Sequence, residues 1–72
     1  MQFSPEVVTV TRGDTVVWVN RDMVPHTATT ADAFDSRIIA PGTSWTYVAR
    51  TAGRYDYACT LHPTMRATLR VE

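Results

Sequence analysis

The stretch Ser44-Trp45-Thr46-Tyr47-Val48-Ala49, followed after a short break by Arg54-Tyr55-Asp56-Tyr57-Ala58-Cys59, decides the fold. In the first run Trp45, Tyr47 and Ala49 fall on one side and Ser44, Thr46 and Val48 on the other. In the second, Tyr55, Tyr57 and Cys59 alternate with Arg54, Asp56 and Ala58. A period of two marks a half-buried strand, because successive side chains of an extended chain point to opposite faces. Ala52-Gly53 supplies the turn between the two runs. The same alternation aims Cys59 inward, alongside the aromatic rings.

Working outward, Val7-Val8-Thr9-Val10-Thr11 is β-branched throughout and favours a strand. Arg12-Gly13-Asp14 is a turn, and Thr15 to Val19 a second strand ending at Asn20. Asn20-Arg21-Asp22 reads as a polar loop, and His26 to Thr30 as a short strand. Ala31 to Ser36 is polar, with Phe34 as its one large apolar anchor. Arg37-Ile38-Ile39 leads into the turn Ala40-Pro41-Gly42-Thr43. Ala67 to Val71 closes the chain as a strand, with Leu69 and Val71 on one face. No helical period or internal repeat competes with this pattern. Several short strands with regular turn signals predict an all-β sandwich or barrel; periodicity alone leaves the strand order open.

Seventy-two residues make one domain, 1–72. A chain this short buries only about 60% of its unfolded surface, so it often leans on a disulfide, a metal or a partner. Cys59 is the only cysteine, which rules out a disulfide within the chain and leaves a metal or an oligomer. Seven Arg, with no Lys, balance seven Asp and Glu. No basic stripe suited to nucleic acid stands out. No run approaches the ~18 apolar residues of a membrane helix. Met1 to Pro5 lacks the features of a signal peptide, so an export signal is expected to have been removed or to lie in a longer precursor.

The chemistry concentrates in Cys59-Thr60-Leu61-His62-Pro63-Thr64-Met65, a Cys-x-x-His-x-x-Met spacing. A thiolate, an imidazole and a thioether favour copper over magnesium, calcium or manganese. Two His and a Cys in a plane with a weak axial Met make the blue-copper arrangement. The loop provides one His; the chain's other is His26, in Val24-Pro25-His26-Thr27. Singly, each residue has a plainer reading: Cys59 as a small buried hydrophobe, a His as a satisfied polar residue, Met65 as core filler. Together, after an inward-aimed strand, they point to one metal site.

At these residues the chain resembles the cupredoxins, most closely the amicyanin-like and plastocyanin-like members. The resemblance rests on Arg12 to Asn20, Pro25-His26, Pro41-Gly42, Ala52 to Met65 and the closing strand to Glu72. The short gap between His62 and Met65 is similar to that of the amicyanins. It implies a Greek-key β-sandwich, shortened at the N-terminus, with one sheet edge exposed or paired with another chain. It implies one copper ion, Cu(I)/Cu(II), on His26, Cys59, His62 and Met65. It also implies an extracytoplasmic, commonly periplasmic, electron carrier. Redox partner proteins would dock near His62 on an apolar patch of Val24, Pro25, Leu61 and Pro63. Relatives usually place Asn after the first His; this chain has Thr27, whose hydroxyl is expected to reach toward Thr60.

Two functions follow from the same ligands. A one-electron carrier leads. A copper-binding, storage or sensor module cut from a larger protein is the alternative, since its ligands would be the same. An enzyme is not expected: with two histidines in all, no ligands remain for a second copper centre. Cys and His also bind zinc well.

Overall fold

Five strands appear in the computed structural model, which describes residues 2–72. They are β1 (Val7–Val10), β2 (Thr15–Val19), β3 (Ser44–Val48), β4 (Gly53–Ala58) and β5 (Arg66–Val71). One sheet has the order β1-β5-β4, with β1 parallel and β4 antiparallel to β5. The other is the antiparallel pair β2-β3. The chain leaves the first sheet after β1, builds the second, and returns as β4 and β5. The last strand therefore lies between the first and the fourth. This crossing between sheets is the feature that periodicity leaves open.

The alternation is realised as expected. Tyr57 and Cys59 are buried, as are Ala67, Leu69 and Val71 on the central strand β5. Trp18 of β2 stands opposite Trp45 of β3, and both pack into the shared core. Phe34 sits at its middle, with ring centroids 4.8 Å from Tyr47, 5.3 Å from Trp18 and 5.8 Å from Tyr57. A polar connecting segment thus delivers the plug that joins the two sheets. Aromatic side chains bury 150–250 Å² each, which suits a chain too short for a deep aliphatic core.

Turn chemistry fixes the corners. At Ala40-Pro41-Gly42-Thr43 the Thr43 N–H donates to the Ala40 carbonyl at 3.0 Å. Gly42 has φ of 78°, a left-handed value that glycine adopts without Cβ strain. Gly13, with φ of 95°, turns β1 into β2, and its N–H donates to the Ala49 carbonyl at 2.7 Å.

Residues 26–30 differ from the expected strand. His26 pairs with Ile39, and Thr29 with both Asp35 and Ala58, as isolated bridges. The segment crosses the mouth of the sandwich and meets a different neighbour at each step, so no continuous ladder forms. Elsewhere the sandwich is open between β1 and β2. A groove of about 670 Å³ runs there, lined by Val8, Val10, Val16 and Trp18 and reaching His26 and Met65. Val17 and Val19 on the outer face of β2 are more than half exposed.

Candidate metal centre

Cys59 follows β4 directly, and the strand's alternation carries its side chain into complete burial. Ala58, the last residue of β4, exchanges two N–H···O bonds of 2.9 Å with Thr29. That pairing lays residues 26–30 against the end of β4. His26 is tied on its other side to Ile39, its N–H donating at 3.2 Å and its carbonyl accepting at 2.7 Å. The loop closes on itself. The His62 N–H donates to the Cys59 carbonyl at 3.2 Å, the Met65 N–H to the His62 carbonyl at 2.9 Å, and the Cys59 N–H to the Met65 carbonyl at 3.1 Å. Pro63, which has no N–H to place, sits in the middle of this ring. Met65 is 4% exposed, His26 6%.

The donor atoms converge. Nδ1 of His26 lies 3.7 Å from Sγ of Cys59, and Nδ1 of His62 lies 3.8 Å from it. The three atoms are all within 4.8 Å of one another. Two imidazole nitrogens and a thiolate sulfur gathered in this way could hold a metal ion between them. Met65, drawn up to Cys59 by the backbone ring, is the fourth candidate.

Electrostatics prepare the sulfur. Burial alone pushes the Cys59 thiol up. The Thr27 N–H at 3.3 Å, the two imidazoles and the Leu61 N–H outweigh it and bring the thiol down to about 6. Burial likewise pulls His26 down, but the neighbouring sulfur and the Asp22 carboxylate outweigh it, and its value is raised. The metal-free site therefore favours a thiolate beside a protonated imidazole. Cys59 and His26 would hold a metal ion in their deprotonated forms.

Thr27 does reach Thr60. Its Oγ1 accepts the Thr60 N–H at 2.9 Å, lies 3.1 Å from the Thr60 hydroxyl, and accepts the Thr29 hydroxyl at 3.2 Å. This oxygen, with the Thr27 N–H to Cys59 Sγ, joins the segment carrying His26 to the loop carrying Cys59.

Two residues of the polar loop were not singled out by sequence. Asn20 is buried; its Nδ2 donates to the Val24 carbonyl at 2.9 Å and to the Ile39 carbonyl at 2.8 Å, and its Oδ1 accepts the Asp22 N–H at 2.9 Å. Asp22 places Oδ2 2.7 Å from Nε2 of His26. An acidic residue four positions before a candidate His was the available signal. Outside, Val24 and Leu61 are 38% and 45% exposed, and Pro25 and Pro63 are exposed too. Met23, beside them in sequence and not anticipated, is 95% exposed.

The model of a family described as copper binding proteins, plastocyanin/azurin family, matches residues 1–72. An amicyanin of Paracoccus versutus is 35% identical over 78 residues, covering 100% of this chain and 59% of its own. A chloroplastic plastocyanin of Tetradesmus obliquus is 38% identical over 72 residues, covering 83% of this chain and 50% of its own. The structure of the oxidised state of an amicyanin mutant superposes with a TM-score of 0.94 at 32% identity, over 100% of this chain and 74% of its own. The chain thus spans about three fifths of the length of the curated amicyanin it matches.

Proposed function

The chain belongs to the plastocyanin/azurin family of copper-binding proteins, and on that premise we propose that residues 1–72 form one domain that carries single electrons. His26, Cys59, His62 and Met65 would hold one copper ion. The observation that carries this reading is the convergence of the two Nδ1 atoms on Sγ, at 3.7 and 3.8 Å, in a buried cluster. When bound there, copper supplies the Cu(I)/Cu(II) one-electron couple.

The protein's own part is positioning. Cys59, His26 and the 59–65 loop are each tied down by backbone hydrogen bonds before any metal arrives. Ligands held in this way have little room to rearrange when an electron comes or goes, and small rearrangement keeps transfer fast. Thr27 N–H holds electron density on the sulfur, and burial keeps bulk water from the thiolate.

His62 is half-buried, the more open of the two imidazoles, and offers the exit for the electron. Val24, Pro25, Leu61 and Pro63, with Met23, supply an apolar surface for redox partner proteins. Redox encounters run on small, weak interfaces, which a patch of this size suits. An extracytoplasmic setting belongs to this same reading; one relative is a chloroplastic plastocyanin. No helix of the described residues is long and apolar enough to cross a membrane.

The test is a visible spectrum of the metal-free protein titrated with Cu(II), beside Cys59→Ser. The expected result is an intense blue band that saturates at one copper per chain and is lost in the variant. A protein that stays pale through the titration would refute the site. Fast electron self-exchange would then support a carrier; slow exchange with tight Cu(I) binding would favour storage.

A further inference from the structure

The ring of His26 uses Nδ1 toward the sulfur, which leaves Nε2 on the far side of a nearly fully buried imidazole. Asp22 is the only side chain among the described residues that bonds that nitrogen, through Oδ2 at 2.7 Å. A separation this short is characteristic of a charge-assisted hydrogen bond. Asp22 is half exposed, yet its backbone is not loose. Its N–H is held by Asn20 Oδ1, and Asn20 is buried and anchored to the Val24 and Ile39 carbonyls. Ile39 is the residue whose backbone also pairs with His26. Carboxylate and imidazole are therefore fixed to the same piece of chain.

We propose that Asp22 is a positioning residue of the metal site, which fixes the tautomer and orientation of His26 and increases the electron donation of its Nδ1 to a bound copper ion. This rests on the reading of the site as a copper centre. A ring that donates Nε2–H to a carboxylate must present its Nδ1 lone pair to the metal. The anionic partner also makes that lone pair more basic. A more basic ligand favours Cu(II) over Cu(I), so Asp22 holds the reduction potential down. Removing its charge raises the potential.

The experiment uses Asp22→Asn and Asp22→Ala beside the parent chain. Partners of this kind are worth about 10–100-fold in metal affinity; half exposure of Asp22 puts the expected loss of Cu(II) affinity near the lower end, about tenfold. If Cu(I) affinity is unchanged, that tenfold loss equals a rise of about 59 mV for one electron. A merely structural role would weaken both oxidation states alike and leave the potential in place. The second readout needs no copper. In the metal-free protein, nitrogen-15 NMR should show the His26 Nε2–H at low field, moving upfield in both variants while backbone shifts elsewhere persist.

A parent chain that binds copper with variants that keep its potential, its Cu(II) affinity and its His26 resonances overturns the role of Asp22 and leaves the copper reading standing. A parent chain that shows no copper band overturns both. Because Asp22 is half exposed, both variants should fold, which circular dichroism of the metal-free protein checks.

Discussion

Replacing Thr27 with Val keeps the branched shape at Cβ and exchanges one hydroxyl for a methyl. The swap conserves volume but removes the oxygen on which three hydrogen bonds converge. The hydroxyls of Thr29 and Thr60 can turn to water, so their loss costs little. The Thr60 N–H is part-buried against Thr27 and loses its acceptor. An unsatisfied buried donor costs about 1–3 kcal/mol, and the partial exposure at Thr60 brings the expected figure to about 1–2 kcal/mol. For a domain of this size each kcal/mol moves the midpoint by about 4–8 °C. The metal-free Thr27→Val protein should therefore melt roughly 5–15 °C below the parent. Calorimetry or circular dichroism measures this. Amide exchange locates it, since the same free energy makes the Thr60 N–H exchange roughly 5–30 times faster. Thr27→Ser separates oxygen from packing, because it gives up a methyl yet keeps the Thr60 N–H protected. A Thr27→Val protein with the parent's melting point and an equally protected Thr60 amide would refute the clamp.

Phe34→Ala should cost about 3–5 kcal/mol, comparable to the whole stability of a small domain, and abolish the near-ultraviolet circular dichroism of the metal-free protein; a cooperative melt close to the parent's would contradict its central place. In the folded metal-free protein the 240-nm absorbance of the Cys59 thiolate should titrate near 6 and in urea near 9; equal midpoints would remove the effect of Thr27 and the imidazoles. A depressed thiol contributes stability that is fully present above its unfolded value and is lost as pH falls through about 6, whereas His26, being raised, contributes below 6.5 and loses it as pH rises through its folded value. The two slopes oppose each other near neutrality, and above the imidazole's value the thiolate alone remains, so metal-free stability should climb toward pH 9. Copper at a hundred times its dissociation constant should add about 2.7 kcal/mol, or roughly 10–20 °C; identical melting of the metal-free and copper-loaded protein would mean that the ion does not bind the folded site.

Strands were the legible part of the sequence, because a side-chain period of two depends only on local geometry and on which face is wet. Trp45, Tyr47, Tyr57 and Leu69 declared their faces in this way. The site was legible for a different reason: three of its residues lie within seven positions, and His26 was the one imidazole left to complete them. What escaped depends on tertiary placement. Residues 26–30 looked like a strand, yet each of them meets a different neighbour at the mouth of the sandwich. Asn20 and Asp22 looked like solvated loop, and their neighbours Arg21 and Met23 are indeed exposed. Nothing local distinguishes an Asn that reaches across to the Ile39 carbonyl from one that faces water. The parallel match of β1 with β5 was equally hidden, since it joins opposite ends of the chain.

Because Val7–Val10 pairs with Thr68–Val71, β1 waits for β5, which lies far along the chain. Until β5 emerges, β1 has no neighbour, and β4 lacks the strand that separates it from β1. Closing so long a loop is costly before any contact rewards it, and folds dominated by such distant pairings are slow. A chain in which β5 has not yet paired would hold Cys59, His62 and Met65 with no finished sandwich behind them. Pairing of β5 is thus the event that converts a string of soft donors into a shaped pocket, and metal loading is expected to follow that pairing rather than precede it.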